Sequence, residues 1–272
     1  MKLEFINSIR FVPNELVKMT DKSIIMTYIG IDRFILLSKN KDLNYAVFTI
    51  RDICDNANLS CKNRQQNCYV QKIKNHLKYF QDKGQIENIG NNSHKEFSNM
   101  GVGEEIILAI KPNFFPKENF TQITDEEFNV LVKNKCTIAK EILVAAYLYV
   151  KSFMYLPKHY EEGKFSAFFQ DLYATSHELG ISRYKIDRCM QYYIDNNLLV
   201  KRQTGSYKYA GTVLNAPNIY VLNNPDAKMN INSALNVLKY NLLKPEYGNG
   251  EDFMPPVFNG NKINKENDED EN

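Results

Sequence analysis

Hydrophobic residues follow a helical spacing along three stretches in the second half of the chain, and strand-like runs come after them. The stretches "TIAKEILVAAYLYVKSFM" and "SAFFQDLYATSHEL" each predict a helix, and a third helix is predicted from Ser182 to about Asn196. Two β-prone runs, "LLVKRQ" and "PNIYVL", then flank the stretch "TGSYKYAGTVLNA". The pattern therefore predicts three helices followed by a strand, a loop and a second strand.

Several residues mark where these predicted elements start and stop. Thr137 is the predicted N-cap of the first helix, and Ser182 is the predicted N-cap of the third. Gly180 and Asn197 tolerate the left-handed conformation that commonly closes a helix, so they are expected to end the second and third helices. Gly205 permits a tight turn and is expected at the tip of the hairpin.

The first half of the chain repeats this order of elements. The segments "DKSIIMTYIGIDRFILLSK", "RDICDNANL" and "RQQNCYVQKIKNHLKYFQDKG" predict three helices, with Thr49 capping the second. A short strand, "YAVFTI", lies between the first two helices. The strands "QIENI" and "EEIILAIK" then flank a polar loop.

The two halves align at an offset of 113 residues, which indicates one supersecondary unit used twice. The alignment rests on six pairs of matching residues. They are Ile73 and Ile186, Leu77 and Met190, Phe80 and Tyr193, Asp82 and Asp195, Gly84 and Asn197, and Ile86 and Leu199.

The remaining segments divide the chain and its charge. The two prolines of "KPNFFPKENFTQIT" favour a linker between the units, and residues 226–244 predict one more amphipathic helix. Residues 245–272 hold eight acidic side chains against two lysines, a net charge of −6, and are predicted to be disordered. The preceding 244 residues carry a net charge of +8. A basic body points to a polyanionic partner, whereas the alternative is an ordinary charged surface.

Three helices followed by a two-stranded hairpin form the layout of a winged helix, a variant of the helix-turn-helix. The segment "ELGISRYKIDRCMQYYIDNNLLVKR" resembles that family in Leu179–Arg183 and in Asn197–Leu199. The first unit departs from the pattern, because "ANLSCKNRQQN" contains a longer turn. The resemblance implies a mainly α fold with small β-hairpins, that is, an α+β protein with two tandem winged helices. The corresponding segments are residues 1–115 and 116–225, followed by the helix 226–244 and the tail 245–272.

A helical projection of residues 182–196 separates a packing face from an outer face. Ile186, Cys189, Met190 and Tyr193 cluster on the packing side. The outer side carries Tyr184, Arg188, Gln191 and Asp195, with Lys185 and Tyr192 on one flank and Arg183 on the other. This outer side is free to enter a DNA major groove, where Arg188 suits guanine and Gln191 suits adenine.

Positive side chains of the hairpin suit the phosphates beside that groove. The candidate DNA contacts of the second unit are Arg183, Tyr184, Lys185, Arg188, Gln191, Lys201, Arg202, Tyr207 and Lys208. In the first unit the same projection buries Tyr69, Val70, Ile73, Leu77 and Phe80. Its candidate DNA contacts are Arg64, Gln65, Lys72, Asn75, His94 and Lys95, and protein contact is the alternative role of this unit.

Tandem winged helices with an interaction tail resemble plasmid and phage replication initiators and replisome organisers of low-GC Gram-positive bacteria. The resemblance implies a sequence-specific protein that binds double-stranded DNA at repeated origin sites. It also implies host replisome proteins as partners of the tail and leaves a homodimer open. The alternatives are a transcriptional regulator with the same DNA contacts and a protein-interaction scaffold that binds no DNA.

Signatures of other chemistry do not appear in the sequence. Cys54, Cys61 and Cys68 are seven residues apart, without the close ligand pair of a zinc site. There is no phosphate-binding G-x-x-x-x-G-K-[ST] motif, and the four histidines are isolated. We therefore expect no enzyme activity, no metal and no cofactor. Charged residues interrupt the most apolar window, so we expect a cytoplasmic protein with reduced cysteines and no membrane contact.

Overall fold

The structure is a computed structural model that describes residues 9–36, 44–61, 68–133, 135–154, 166–209 and 212–242. Within these residues the chain is an α+β protein in which helices pack with four small antiparallel sheets. The predicted α+β class with small antiparallel sheets is confirmed. The predicted disorder of residues 245–272 lies outside the described residues.

The predicted elements of the first half are present in the predicted order. They are α2 (Ser23–Arg33), β3 (Asn44–Phe48), α3 (Ile50–Asn56), α4 (Tyr69–Asp82), β4 (Ile86–Asn88) and β5 (Ile106–Ile110). A short β2 (Ile35–Leu36) completes an antiparallel sheet of order β2–β3–β5–β4. Thr49 caps α3 as predicted, because its hydroxyl accepts the Asp52 N–H at 3.2 Å while the Asp52 carboxylate accepts the Thr49 N–H at 2.7 Å.

The predicted linker is wrong, because most of that segment is part of the fold. Strand β6 (Phe120–Thr124) pairs antiparallel with β1 (Ile9–Pro13) near the beginning of the chain. Phe114 is 1% exposed, and its ring stacks on that of Tyr28 with centroids 4.7 Å apart. Two helices that were not predicted, α1 (Asn14–Lys18) and α5 (Asp125–Lys133), directly follow these two strands.

The second half contains the predicted helices and hairpin together with two further strands. Its elements are α6 (Lys140–Met154), α7 (Leu172–Leu179), α8 (Arg183–Asp195), β7 (Leu199–Arg202), β8 (Ser206–Tyr209), β9 (Thr212–Asn215), β10 (Ile219–Leu222) and α9 (Ala227–Leu242). Strand β7 pairs antiparallel with β10, and β8 pairs with β9. Helix α9 confirms the amphipathic helix predicted after the hairpin, and it packs on β10 through Ala234 and Leu238.

The predicted helix ends are confirmed where glycine or asparagine marks them. Gly180 ends α7 at φ 63°, and Asn197 follows α8 at φ 57°. Ser182 occupies the N-cap position of α8 but makes no side-chain capping bond. The cap predicted at Thr137 is wrong, because α6 begins only at Lys140.

The second predicted helix begins later than its hydrophobic pattern suggested. Asp171 caps α7, since its carboxylate accepts the Tyr173 N–H at 3.0 Å. The residues before it are extended, and Phe168 exchanges two backbone hydrogen bonds of 2.8 Å with Tyr220 of β10. Phe168 therefore holds the place that β3 holds in the first half.

The hairpin is longer than predicted, and Gly205 does not form its tip. Gly205 has φ 97°, and its carbonyl accepts the Ala216 N–H at 2.9 Å between the two strand pairs. Tyr209 pairs with Thr212, so the chain reverses after Tyr209. The glycine instead allows the chain to bend where β7 gives way to β8.

The aligned pairs of the two halves agree in their environments. All four apolar pairs are buried, from Ile73 and Ile186 to Ile86 and Leu199. Gly84 and Asn197 both have positive φ, at 65° and 57°. One cluster of buried residues extends from Val12 to Tyr220 and includes side chains of both halves. The division between residues 115 and 116 stays a prediction.

Candidate nucleic-acid interface

Helix α8 packs as its sequence pattern predicts. Ile186, Cys189, Met190 and Tyr193 are all buried. Tyr193 is fully enclosed, and its hydroxyl donates to the Leu143 carbonyl of α6 at 2.7 Å. This contact fixes the rotation of α8 and thereby decides which of its side chains face outward.

The outward row of α8, here called the crest, consists of Tyr184, Arg188, Gln191 and Asp195, and all four are exposed. The Tyr184 side chain is 69% exposed, and the Arg188 guanidinium lies 5.6 Å from the centroid of its ring. Gln191 donates to the Asp195 carboxylate at 2.7 Å. The crest is therefore not covered by the described part of the chain, and ahead of Asp195 it presents one cation, one amide and one aromatic ring.

One flank of α8 faces the β-hairpin across a groove of about 510 Å³. This hairpin groove is lined by two cations, Arg183 and Lys201, and by two carboxylates, Asp171 and Asp187. Arg183 forms a long ion pair of 3.8 Å with Asp187. The sequence interpretation named only the cations Arg183 and Lys201 on this side, whereas the four formal charges that line the groove cancel.

The Asp187 carboxylate acts electrostatically on Tyr220 of β10. Burial raises the pKa of the Tyr220 phenol, and the Asp187 carboxylate raises it further. Asp187 is itself exposed. A negatively charged ligand that enters the hairpin groove therefore meets an acidic side chain on its helical wall.

Helix α5 covers part of the opposite flank of α8. Tyr192 was expected on an open flank, but it is 9% exposed and its hydroxyl donates to the Val130 carbonyl at 2.7 Å. Lys185, on the same flank, remains exposed. Arg183 and Lys185, both named as candidate DNA contacts, thus lie on different sides of the helix.

Basic side chains that the sequence interpretation missed lie beside this second flank. Lys133 ends α5, and Lys135 lies in the turn that follows; both are exposed. The Arg188 guanidinium donates to the Thr137 hydroxyl of the same turn. The two lysines just before the predicted helix α6 are visible in the sequence, but their position beside α8 depends on tertiary packing.

In the first half, α4 occupies the position that α8 occupies in the second. Val70, Ile73, Leu77 and Phe80 are buried as predicted, whereas Tyr69 is only half-buried. The Tyr69 hydroxyl donates to the Glu141 carboxylate of α6 at 2.7 Å, which explains why it stays near the surface.

Two polar side chains of α4 are buried although the sequence interpretation did not place them inside. Lys74 donates to the Ser98 carbonyl at 3.0 Å. His76 lies 2.9 Å from the Thr27 hydroxyl and 3.2 Å from the Asp21 carboxylate. The hydrogen bond from His76 holds the pKa of Asp21 well below its ordinary value of 3.8.

The candidate DNA contacts of the first half are more dispersed than those of α8. Lys72 is half-buried and forms an ion pair of 3.7 Å with Asp21, whereas Asn75 is exposed and accepts from Gln71 at 3.0 Å. His94 is exposed in the loop between β4 and β5, and the neighbouring Lys95 forms an ion pair of 3.3 Å with Glu104. Arg64 and Gln65 lie outside the described residues.

The predicted basic residues of the hairpin differ in their exposure. Lys201 is exposed and Arg202 is half-buried, both on β7. Tyr207 and Lys208 belong to β8, but their side chains lie outside the described residues. Lys201 is thus the hairpin cation whose position beside α8 is defined.

The described residues contain no group of three side chains suited to hold a metal ion. Cys54 is buried, and burial raises the pKa of its thiol. Within the same ranges, no helix combines the length and the apolar character needed to cross a membrane.

The geometry of α8 and its flanks is therefore the basis for assigning a function. Comparison of the chain with protein-family models, with curated proteins and with solved structures finds no match.

Proposed function

We propose that the protein binds double-stranded DNA in a sequence-specific manner and that α8 is the element that reads the bases. The observation that carries this proposal is the exposed crest of α8, with Tyr184, Arg188 and Gln191 beside a projecting hairpin. A B-DNA major groove is wide enough to admit a helix. The enclosed Tyr193 holds the helix in one rotation, so the crest is presented without further rearrangement.

The chemistry of the crest fits base edges. Arginine forms bidentate hydrogen bonds with guanine, and glutamine does so with adenine. Arg188 and Gln191 are three residues apart and therefore neighbours on one face of the helix. Asp195 lies at the far end of the crest and would be repelled by phosphates, so the contacts are made by the crest residues before it, from Tyr184 to Gln191.

The finer fold assignment belongs to the same proposal. Each half has the order helix, extended segment, helix, helix, strand and strand, which is the order of a winged helix. We assign the chain as two winged helices in tandem on this basis. The second half is the reader of sequence, and the first half supports it or contacts the duplex through Asn75 and His94.

The biological role that follows from the resemblance is replication initiation at a plasmid or phage origin. A transcriptional regulator would use the same contacts with DNA, so the two roles differ in the site that is bound. A nuclease footprint separates them. Repeated sites beside an AT-rich segment support initiation, and a single site at a promoter supports regulation instead.

The proposal is tested by selecting bound duplexes from a random pool and titrating the preferred sequence with the Arg188→Ala variant. The loss of a bidentate contact is expected to weaken specific binding by about 1–3 kcal/mol and to relax the preference at one base pair. Lys228→Ala, on the exposed side of α9, serves as the control and should bind as the wild type does. Unchanged affinity and preference in Arg188→Ala would remove α8 as the reading helix.

A further inference from the structure

The turn between α5 and α6 lies directly against the second flank of α8. This bridging turn, residues 135–139, meets α8 through the hydrogen bond from Arg188 to Thr137. Burial, with a smaller contribution from the nearby Cys136 of the turn, raises the pKa of the Cys189 thiol to about 12. The hydrogen bond from Tyr192 to Val130 joins the adjoining part of α5 to the same helix. The bridging turn therefore has a fixed position beside the crest.

The two helices that this turn joins are also tied to the first half of the chain. Asn58, in the left-handed conformation at φ 49°, donates to the Val132 carbonyl at 3.0 Å. Lys140, the first residue of α6, donates back to the Asn58 carbonyl. Together with the bond from Tyr69 to Glu141, these contacts place the bridging turn between the start of α4 and the outer side of α8.

The charges around the bridging turn differ from those of the hairpin groove. Lys133, Lys135, Lys185 and Arg188 are exposed, and none of them forms an ion pair with another described residue. Glu141, the carboxylate at this junction, accepts a hydrogen bond from Tyr69. In the hairpin groove, by contrast, two cations face two carboxylates. The unpaired positive charge next to the crest is thus concentrated on the side of the bridging turn.

We propose that Lys133 and Lys135 bind the phosphates of the duplex strand that borders the groove entered by α8. This inference rests on the proposed function, and it assigns to the bridging turn the role of backbone grip that the sequence pattern assigned to the hairpin. Phosphate contacts set the register of a protein on DNA without reading its sequence. The turn is hydrogen-bonded to α8, and the helices at its two ends are hydrogen-bonded to the first half, so it fixes where the duplex lies relative to α4 as well as α8.

The test compares two double variants of the full chain that lose the same charge. Lys133→Gln with Lys135→Gln removes the proposed phosphate contacts, and Lys117→Gln with Lys228→Gln removes two exposed lysines elsewhere. Binding of the selected duplex and of an unrelated duplex is titrated over a range of salt concentrations. A circular dichroism spectrum and a melting curve confirm that each variant is folded.

Each lost phosphate contact makes the negative slope of log K against log salt concentration shallower by about 1. We expect the slope of the Lys133/Lys135 variant to become shallower by about 2, with weaker binding to both duplexes and an unchanged sequence preference. The Lys117/Lys228 variant should keep the slope of the wild type. Equal slopes in the two variants would overturn the role of the bridging turn while leaving the proposed function in place. A wild-type chain that binds neither duplex would overturn the proposed function itself.

Discussion

Replacing Asp187 with asparagine should make the protein bind DNA more tightly. Asp187 lies on the helical wall of the hairpin groove, and its carboxylate is 3.8 Å from the Arg183 guanidinium. The substitution keeps the shape of the side chain but removes the negative charge that faces an approaching phosphate. It also releases Arg183 from an exposed ion pair that contributes little to stability.

The size of the effect follows from the salt dependence of phosphate binding. One additional phosphate contact changes the slope of log K against log salt concentration by about −0.9. At about 0.1 M salt this corresponds to binding that is about 8-fold tighter. The gain should be similar for specific and unrelated duplexes, because a phosphate contact carries no sequence information.

Fluorescence anisotropy with a labelled duplex measures this effect over a salt series. Asp226→Asn, an exposed position just before α9, is the control with the same change in charge. We expect the slope to steepen in Asp187→Asn and to stay constant in Asp226→Asn. Weaker or unchanged binding in Asp187→Asn would refute the view that the Asp187 carboxylate repels the phosphates of a duplex bound at α8.

Two further predictions concern stability. Lys151 is 3% exposed and donates to the Glu127 carboxylate at 2.7 and 2.8 Å. Lys151→Met leaves the Glu127 charge without this partner, so it should lower the free energy of unfolding by about 3–5 kcal/mol. Adding Glu127→Gln removes that charge and should recover part of the loss. Denaturant unfolding measures this free energy, and an equal loss in the double variant would contradict the role of the unpaired Glu127 charge. The lowered pKa of Asp21 gives stability that is present above its ordinary pKa of 3.8 and is lost as the pH falls below it. Melting temperatures between about pH 6 and pH 2 should therefore fall less steeply in Asp21→Asn than in the wild type, and parallel curves would exclude this contribution.

The elements of both halves could be predicted because local signals agree with the tertiary structure. Helix α8 shows a clean helical period, and Gly180 and Asn197 mark helix ends where a left-handed residue is needed. The burial of Ile73 together with Ile186 follows from the same repeating pattern. Such signals depend on neighbours along the chain, and the sequence displays them directly.

Features that depend on distant segments could not be predicted in the same way. Tyr192 is buried because α5 covers its flank, and the residues near Tyr192 in the sequence do not predict that contact. The segment of strand β6 was predicted as a linker because of its two prolines, but it pairs with β1 and is part of the fold. Asp187 is different, since a complete helical projection places it between Arg183 and Gln191. Its effect on the hairpin groove was therefore accessible from the sequence.

The central claim is that the exposed crest of α8 and the cations beside it bind the DNA duplex. Equilibrium binding of the wild-type chain to its selected duplex, titrated with salt, tests this claim most directly. With about six phosphates contacted, the slope of log K against log salt concentration should be near −5. A binding constant that does not change with salt would contradict the claim and would favour a scaffold that contacts only proteins.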